Sequence, residues 1–294
     1  MLAHSTHAPS LLTHALQAAS LYGLTLIRPS KPLPPRGTGV IIALEPHDIL
    51  PYSLFAFAWH LNLCPDLPEG YGLMTSTVFQ LPYVRQIYNY CCGDSIDKKT
   101  FTKHLKNDKT CVIIPGGVQE VIEMQTELRK DPDTKKLFLY LNERKGFVKL
   151  ALMHGSTIIP SFTFGYDGSY FTWIPDPEGE AAICASRSFV RFPSHTPFSL
   201  PSDKWNLNKK FGFLPMLYFG RLCGFSSNVL PLGIPNPPQP LTIVMGDPIA
   251  VPKTVSPSQG DIDKYHLDFI TGMKKVFEDH KVEHGYKDRE LVII

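Results

Sequence analysis

Short apolar runs alternate with amphipathic stretches along most of the chain. The apolar runs predict buried strands over residues 40–44, 73–78, 111–114, 157–164 and 241–244. The stretches between them predict helices over residues 49–60, 81–90, 97–105, 118–128 and 147–153. Near the C-terminus, apolar side chains recur every three or four residues and predict one more helix, at Ile262, Tyr265, Phe269, Met273 and Val276. Such alternation predicts an α/β domain with a sheet flanked by helices.

Capping and turn-forming residues support several of these boundaries. Asp48 and Asp97 can cap the helices that follow them, and Pro82 suits a first helical turn. Gly155 provides a helix stop. Pro160 lies inside an apolar run, and because proline cannot donate a ladder hydrogen bond, it predicts an edge strand or a bulge.

The composition narrows the class of protein. Of the 294 residues, 43% are hydrophobic, which is enough for a sizeable core. The net charge of +2 is too balanced to predict nucleic-acid binding, and it suits an anionic membrane surface and an ordinary protein surface equally. The six cysteines form no C-x-x-C pair, so we interpret them as reduced and intracellular, without zinc.

Two apolar stretches, residues 10–27 and 211–235, are candidates for membrane contact. Polar residues or prolines interrupt both, and no window of 18 or more residues is cleanly apolar, so neither predicts a spanning helix. An interfacial position is expected instead, with a buried core helix as the alternative for 211–235. The predicted organisation is an N-terminal segment, 1–39, able to associate with a membrane, followed by a single domain, 40–294.

Candidate chemistry gathers at two turns that follow predicted strands. One is Glu45-Pro46-His47-Asp48, and the other is the P-G-G-V-Q-E segment at 115–120. Ligands in open α/β sheets collect at the carboxyl ends of strands. Histidine accepts a proton near neutral pH, so His47 can act as a general base that activates a hydroxyl. The alternative, a histidine that caps a turn, is the one that the residues alone favour.

Groups in and after the second turn can bind anions. The backbone N–H groups of Gly116 and Gly117 can stabilise an oxyanion or bind a phosphate, or the pair can form a simple tight turn. Glu120 can orient an imidazole, or can merely favour a helix N-terminus. Arg144 and Lys145 can bind the phosphates of coenzyme A, or can form a solvated helix start.

Several enzyme classes lack their motifs here. The chain has no G-x-S-x-G elbow, no Walker loop and no G-x-G-x-x-G. The H-x-x-x-x-D spacing of glycerol-phosphate acyltransferases is also missing, because Tyr52 stands five residues after His47.

Arg85 lies in a mostly apolar predicted helix, which indicates an anionic partner, either a ligand phosphate or a structural carboxylate.

Blocks of residues occur in a defined order from about residue 40 to the end. They are Glu45-Pro46-His47, 81–85, 115–120, 144–151, 244–249, and Tyr265, His266, Phe277, His280, Lys281, Gly285 and Tyr286. Together they resemble the H-P-H-G, P-x-x-R, P-G-G-x-x-E, R-x-G-F, V-x-G-x-P-I and C-terminal helix blocks of the type-2 diacylglycerol acyltransferase family, especially its plant and algal members. Each block is moderately specific, but five or more in order are hard to produce by chance.

The resemblance implies a single acyltransferase domain, similar to the glycerolipid acyltransferase fold, with a mixed sheet flanked by helices. No transmembrane hairpin is clear in this sequence. It implies transfer of a fatty acyl group from acyl-CoA to diacylglycerol to make triacylglycerol, at the endoplasmic reticulum membrane and on lipid droplets. Acyl-CoA is the expected co-substrate, with no other cofactor and no metal. Membrane lipid is the expected further partner, and no nucleic acid is expected.

The resemblance also implies roles for individual residues. His47 is the expected catalytic base, and Glu120 is expected to support it. The expected substrate-binding residues are Glu45, Pro46, Asp48, Arg85, Gly116, Gly117, Arg144, Lys145 and Gly146.

Three departures from the family pattern keep other interpretations open. Asp48 stands where the family has a small residue, and Tyr166 stands where it has the acid of F-G-E. The N-terminal anchoring hairpin and a Tyr-Phe-Pro block are not clear, which predicts a divergent short form or a missing N-terminus. The alternatives are another acceptor (monoacylglycerol, a fatty alcohol or a sterol) and a non-catalytic relic that binds membranes or lipid droplets.

Overall fold

A computed structural model gives the fold for most of the chain. The residues described are 23–47, 52–57, 63–80, 84–131, 133–166, 171–173, 182–185, 188–191, 217–221, 229–231 and 240–294. Their strands, in chain order from β1 to β14, are Thr25–Ile27, Val40–Glu45, Gly70–Met74, Gly93–Ser95, Thr110–Ile113, Lys136–Leu139, Thr157–Phe164, Phe171–Trp173, Ala182–Ala185, Ser188–Arg191, Leu217–Arg221, Val229–Pro231, Thr242–Met245 and Glu290–Ile293.

The helices of the described residues follow the predicted order. From α1 to α5 they are Val84–Tyr90, Lys98–Lys106, Val118–Lys130, Gly146–His154 and Gln259–His280, and short 3-10 segments cover Tyr52–Phe57 and Ser76–Gln80. Asp97 caps α2 by accepting a hydrogen bond from the Thr100 N–H. Gly155 ends α4 in the left-handed conformation, with φ of 69°. Both predicted helix signals are confirmed.

A seven-stranded mixed sheet forms the centre of the molecule, in the order β1-β13-β7-β2-β5-β3-β4. Strands β7, β2, β5, β3 and β4 run parallel, while β13 is antiparallel to β7 and carries β1 parallel to itself. A five-stranded antiparallel sheet, β10-β9-β8-β11-β12, and a parallel pair, β14-β6, complete the described strands. The predicted α/β class with a mixed sheet is confirmed.

The central sheet is buried on both faces, which explains its continuous apolar runs. Every residue of β2 is buried. Ile41 and Ala43 face a core built with side chains of α2, α4 and α5, whereas Val40, Ile42 and Leu44 face a core built with the Tyr52–Phe57 segment. Pairing with β5 on one side and with β7 on the other fixes the register of β2 and so places its C-terminal end.

The structure corrects two predicted boundaries. The strand predicted at 73–78 lies earlier, at Gly70–Met74, and is followed by the 3-10 segment Ser76–Gln80. Two glycines in this strand weaken its apolar signal. The helix predicted at 49–60 is a 3-10 segment in its described part, Tyr52–Phe57. Asp48 and Pro82 lie outside the described residues.

Pro160 does not mark an edge, because β7 lies between β2 and β13. The bulge interpretation is confirmed instead. Ser161 pairs with Met245, yet Ile158 bridges Ile249, so the segment after β13 contains one extra residue opposite Pro160. The extra residue interrupts the regular strand pairing at the point where Pro160 has no N–H to donate a hydrogen bond.

The two stretches considered for membrane contact contain strands in their described parts. Thr25–Ile27, from the first stretch, joins the central sheet as β1, and the second stretch contributes β11 and β12, so the core-helix alternative is wrong there. No helix formed by the residues in the described ranges has the length and apolarity needed to cross a bilayer. Cys64, Cys91, Cys92 and Cys111 are free thiols.

A glycine pair tests the packing of α5 on the sheet. A Cβ added to Gly246 would lie 2.6 Å from Val276 Cγ2 and 2.9 Å from the Pro160 carbonyl oxygen, whereas one added to Gly260 meets only Ser258 Oγ, at 3.8 Å. Gly246→Ala should therefore lower the free energy of unfolding by about 1–3 kcal/mol through overpacking. Gly260→Ala, within α5, should be neutral or slightly stabilising. Denaturant unfolding would measure both, and equal stabilities would contradict the packing.

Candidate active site

The two turns that carry candidate chemistry meet at one edge of the central sheet. Strands β2 and β5 are parallel neighbours, with Val40 paired to Thr110 and Ala43 paired to Ile113. Their carboxyl ends therefore lie side by side, and Glu45-Pro46-His47 follows one strand while the P-G-G segment follows the other. A cis peptide bond joins Glu45 to Pro46. Sequence reasoning placed the two turns at strand ends, and the sheet order makes them neighbours.

Each turn donates a backbone hydrogen bond to a carboxyl group of the other. The His47 N–H donates to Glu120 Oε1 over 2.8 Å, and the Gly116 N–H donates to Glu45 Oε1 over 2.8 Å. We call this arrangement of Glu45, His47, Gly116 and Glu120 the carboxyl clasp. It fixes the backbone of both turns relative to each other.

Both carboxyl groups of the clasp are inaccessible to water. Glu45 is 0% exposed and Glu120 is 1% exposed. Burial raises the pKa of Glu45 to about 7, although the Gly116 N–H and the charge of Arg144 act in the opposite direction. Burial also raises the pKa of Glu120 well above its usual value, and the neighbouring Glu45 carboxyl raises it further. The pair therefore retains a proton near neutral pH.

The second turn needs glycine at its two positions for different physical reasons. A Cβ on Gly116 would lie 2.0 Å from Glu120 Oε2 and 3.3 Å from Glu45 Oε1, so no larger residue fits against the carboxyl pair. Gly117 instead has φ of 60°, with open space where a Cβ would be. It is the N-cap of α3 and provides no side-chain cap, which leaves backbone N–H groups at the start of that helix.

A cavity of about 480 Å³ borders the clasp. Pro115, the residue before Gly116, forms part of its wall. Apolar side chains such as Ile96, Phe101 and Phe147 line it together with the basic side chains Lys98, Arg144 and Lys149. Within the described part of the chain, none of these three cations forms an ion pair. Glu143 also lines it, so the cavity has an apolar wall, three cations and one carboxylate. The excess of cations suits a ligand that has both an apolar chain and anionic groups.

The other predicted substrate-binding residues are distributed unevenly around this cavity. Arg144 and Gly146 line it, but Lys145 does not, and its Nζ is 2.7 Å from Asp263 Oδ1 on α5. Arg85 is exposed on α1 and lies outside the cavity lining, and among the described residues it has no anionic partner. Asp48 is outside the described residues, and Pro46 is half-buried.

Sequence reasoning missed two of the three cavity cations and one buried contact. Lys98 and Lys149 lie near the starts of α2 and α4, and only the packing of these two helices against each other and on the sheet brings them together. Tyr166, at the family's acid position, is buried, and its hydroxyl contacts the Ser53 hydroxyl at 2.5 Å and accepts from the Ser53 N–H at 3.0 Å. That contact ties the end of β7 to the segment after His47.

Comparison with known proteins places this chain in a family. The family model described as Diacylglycerol acyltransferase matches residues 17–294. The chain is 29% identical to Diacylglycerol O-acyltransferase 2-like protein 6 of Homo sapiens, over 86% of this chain and 69% of that protein. It is 27% identical to 2-acylglycerol O-acyltransferase 1 of Bos taurus, over 86% and 68%. It is 29% identical to Acyl-CoA wax alcohol acyltransferase 2 of Mus musculus, over 86% and 69%.

One solved structure is also similar. The crystal structure of the 1-acyl-sn-glycerophosphate acyltransferase PlsC from Thermotoga maritima aligns with a TM-score of 0.43 and 12% identity. The alignment covers 91% of this chain and 77% of that chain.

The buried carboxyl pair predicts an unusual dependence of stability on pH. The pKa of Glu45 rises from 4.5 to about 7 on folding, so the folded state holds its proton more tightly than the unfolded state. The resulting stabilisation is complete below about pH 4.5 and is lost as the pH rises through about 7, by an amount on the order of 3 kcal/mol. Denaturant unfolding at a series of pH values would measure this fall.

The matched variants are Glu45→Gln and Glu69→Gln. Glu45→Gln should flatten the fall in stability between pH 5 and about 7, because it removes the titrating group. Glu69 pairs with Lys109 at the opposite edge of the sheet and has a lowered pKa, so Glu69→Gln should retain the fall. Parallel curves for the wild type and Glu45→Gln would contradict the assignment.

Proposed function

Because this chain belongs to the diacylglycerol acyltransferase family, we propose that it transfers a fatty acyl group from acyl-CoA to diacylglycerol and so makes triacylglycerol. The observation that supports this most is the cavity at the carboxyl edge of the sheet. It combines apolar side chains with three cations that form no ion pair among the described residues, and it shares a wall with the turn that holds His47 in place. An acyl-CoA has the matching chemistry, an apolar chain with several phosphates.

His47 is the proposed general base. Its backbone is held by Glu120, and its side chain is only partly buried, so a ligand at this edge of the sheet can approach it. In the proposed reaction, His47 takes the proton of the acceptor hydroxyl while that oxygen attacks the thioester carbonyl carbon. The new C–O bond forms, the C–S bond breaks, and the departing sulfur of coenzyme A receives the proton from His47.

The second turn is proposed to stabilise the oxyanion of the tetrahedral intermediate. The Gly116 N–H already donates to Glu45, so it is not available for this role. Gly117 and the start of α3 carry the remaining candidates, and the open space beside Gly117 admits a ligand oxygen.

The cavity cations are proposed to bind the phosphates of coenzyme A. Arg144, Lys98 and Lys149 surround the cavity and are free of ion pairs among the described residues, whereas Lys145 is paired with Asp263. Of the two cations predicted before α4, Arg144 therefore keeps the proposed phosphate role. The apolar acceptor also supports a place of action at the endoplasmic reticulum membrane or on lipid droplets.

Replacement of His47 tests the reaction and the base together. Triacylglycerol synthesis would be measured with labelled acyl-CoA in membranes of yeast that lacks its own neutral-lipid acyltransferases. His47→Ala should lower the rate by about 10²–10⁴-fold, or about 3–5 kcal/mol in the barrier. His154→Ala, a half-buried histidine at the opposite edge of the sheet, is the control and should keep the wild-type rate. A wild-type rate in His47→Ala would exclude His47 as the base.

The acceptor is tested with a panel in the same membranes. Diacylglycerol, monoacylglycerol, a fatty alcohol and a sterol would each be offered with labelled acyl-CoA. The relatives include 2-acylglycerol and wax alcohol acyltransferases, so a product from another acceptor would change the substrate and keep the reaction class. A membrane-bound wild-type protein that is inert with every acceptor would favour the non-catalytic alternative.

The cavity cations predict a graded effect on the donor. Arg144→Ala and Lys149→Ala should each raise the KM for acyl-CoA roughly 3–5-fold, because partly exposed charge contacts contribute up to about 1 kcal/mol. Lys145→Ala is the matched control from the same segment, and its KM should change less, since its partner is Asp263. Initial rates at varied acyl-CoA concentration would measure this. A larger effect at Lys145 than at Arg144 would place the phosphates elsewhere.

A further inference from the structure

The buried carboxyl groups of the clasp need a proton, and the proposed reaction gives that proton no role. Oε1 of Glu45 and Oε1 of Glu120 each accept a backbone N–H, from Gly116 and His47. Oε2 of each carboxyl is buried and has no hydrogen-bond partner from the rest of the described chain. A side-chain hydrogen bond joins the two carboxyl groups, and each of them has one buried oxygen that needs a donor.

We propose that Glu45 and Glu120 share a single proton between these two oxygens, and that the resulting pair is a positioning element for His47 that does not touch the substrate. The proposal rests on His47 being the general base. With one proton, the pair contains an O–H donor and an ionised acceptor, and the two Oε1 atoms stay available to the backbone N–H groups. Charge-assisted O–H···O⁻ contacts of this kind are short and strong.

The doubly protonated pair belongs to low pH, where Glu45 also holds its proton, and the singly protonated pair suits neutral pH best. With no proton, two negative charges would be buried next to each other without enough donors, and their repulsion would push the two turns apart. With two protons, one hydroxyl would have no strong acceptor. Besides the two carboxyls, the charged group that acts on the pair is Arg144, which lowers the pKa of Glu45 from the cavity side. His47 lies two residues after Glu45 in the chain.

Positioning through the backbone explains the contact that the structure shows. Glu120 accepts a hydrogen bond from the backbone N–H of His47, so this carboxyl fixes the position of the His47 backbone at the end of the sheet. Glu45, which is 0% exposed, bonds to the second turn and cannot reach a ligand in the cavity without leaving the clasp. Loss of the pair should therefore change the turnover rate more than donor affinity.

The test compares kcat and the KM for acyl-CoA as functions of pH in the full-length protein in membranes. In Glu120→Gln, the amide oxygen can still accept from His47 and the NH₂ can donate to Glu45, so a permanent hydrogen bond replaces the shared proton. Glu120→Gln should lower kcat less than Glu120→Ala does, and it should lose the decrease in kcat that we expect of the wild type on the alkaline side. Glu120→Ala leaves the His47 N–H without its acceptor and should lower kcat by about 10–100-fold, with less change in KM.

Two results would overturn the proposal. If Glu120→Gln were as inactive as His47→Ala, the carboxylate itself would take part in the chemistry. If Glu120→Ala and Glu120→Gln had the same kcat and the wild-type pH profile, the pair would not position His47. Denaturant unfolding shows which variants fold, and Glu120→Gln alone decides the question through its pH profile if Glu120→Ala does not.

An independent readout separates this proposal from the proposed function. Infrared difference spectra between low and high pH should show a protonated carboxyl band near neutral pH in the wild type, and Glu45→Gln/Glu120→Gln should lack it. A protein with the band but without acyl transfer would keep the shared proton and disprove the proposed function. Acyl transfer without the band would disprove the shared proton and keep the proposed function.

Discussion

Two carboxyl groups are buried at the C-terminal ends of the central strands, and their burial constrains the conformation of both turns that follow these strands. Glu45 and Glu120 are shielded from water, and a buried carboxyl must be paired, hydrogen-bonded or neutral. The backbone N–H groups of His47 and Gly116 satisfy one oxygen of each. The same pair excludes a side chain at Gly116, so the geometry of both turns follows from placing these two groups.

The sheet makes that placement possible. Strands β2, β5, β7 and β13 are buried on both faces, and a slip of one residue would move each of their side chains into the opposite core. The parallel pairing of β2 with β5 and β7 therefore holds two strand ends in register, and the proposed base lies at the end of the middle strand. Helices α2 and α4 cover one face and form the cavity beside this edge. Rigid elements thus place a site whose chemistry resides in short turns.

Much of the fold is predictable from local pattern. The apolar runs and caps predict β2, β5, β7, α2 and α4 to within one or two residues, because burial on both faces and helix capping leave local signals. The strand Gly70–Met74 is displaced, since its glycines dilute the apolar pattern. Short strands such as Gly93–Ser95 leave no signal at all, because three residues cannot show a period. Pro160 indicates a bulge from the sequence, but only the register shows that the extra residue lies in the segment after β13, opposite the central strand β7.

The sequence by itself determined the class of fold, the two turns and the residue types that can do chemistry there. Only the tertiary structure decided which groups meet. Glu45 and Gly116 are 71 residues apart and His47 and Glu120 are 73 apart, so their contacts depend on strand order and register. The same holds for Lys98 and Arg144 at the cavity. Local residues encode local conformation and burial, whereas a pair of charges becomes a site only when packing brings distant segments together and removes the water between them.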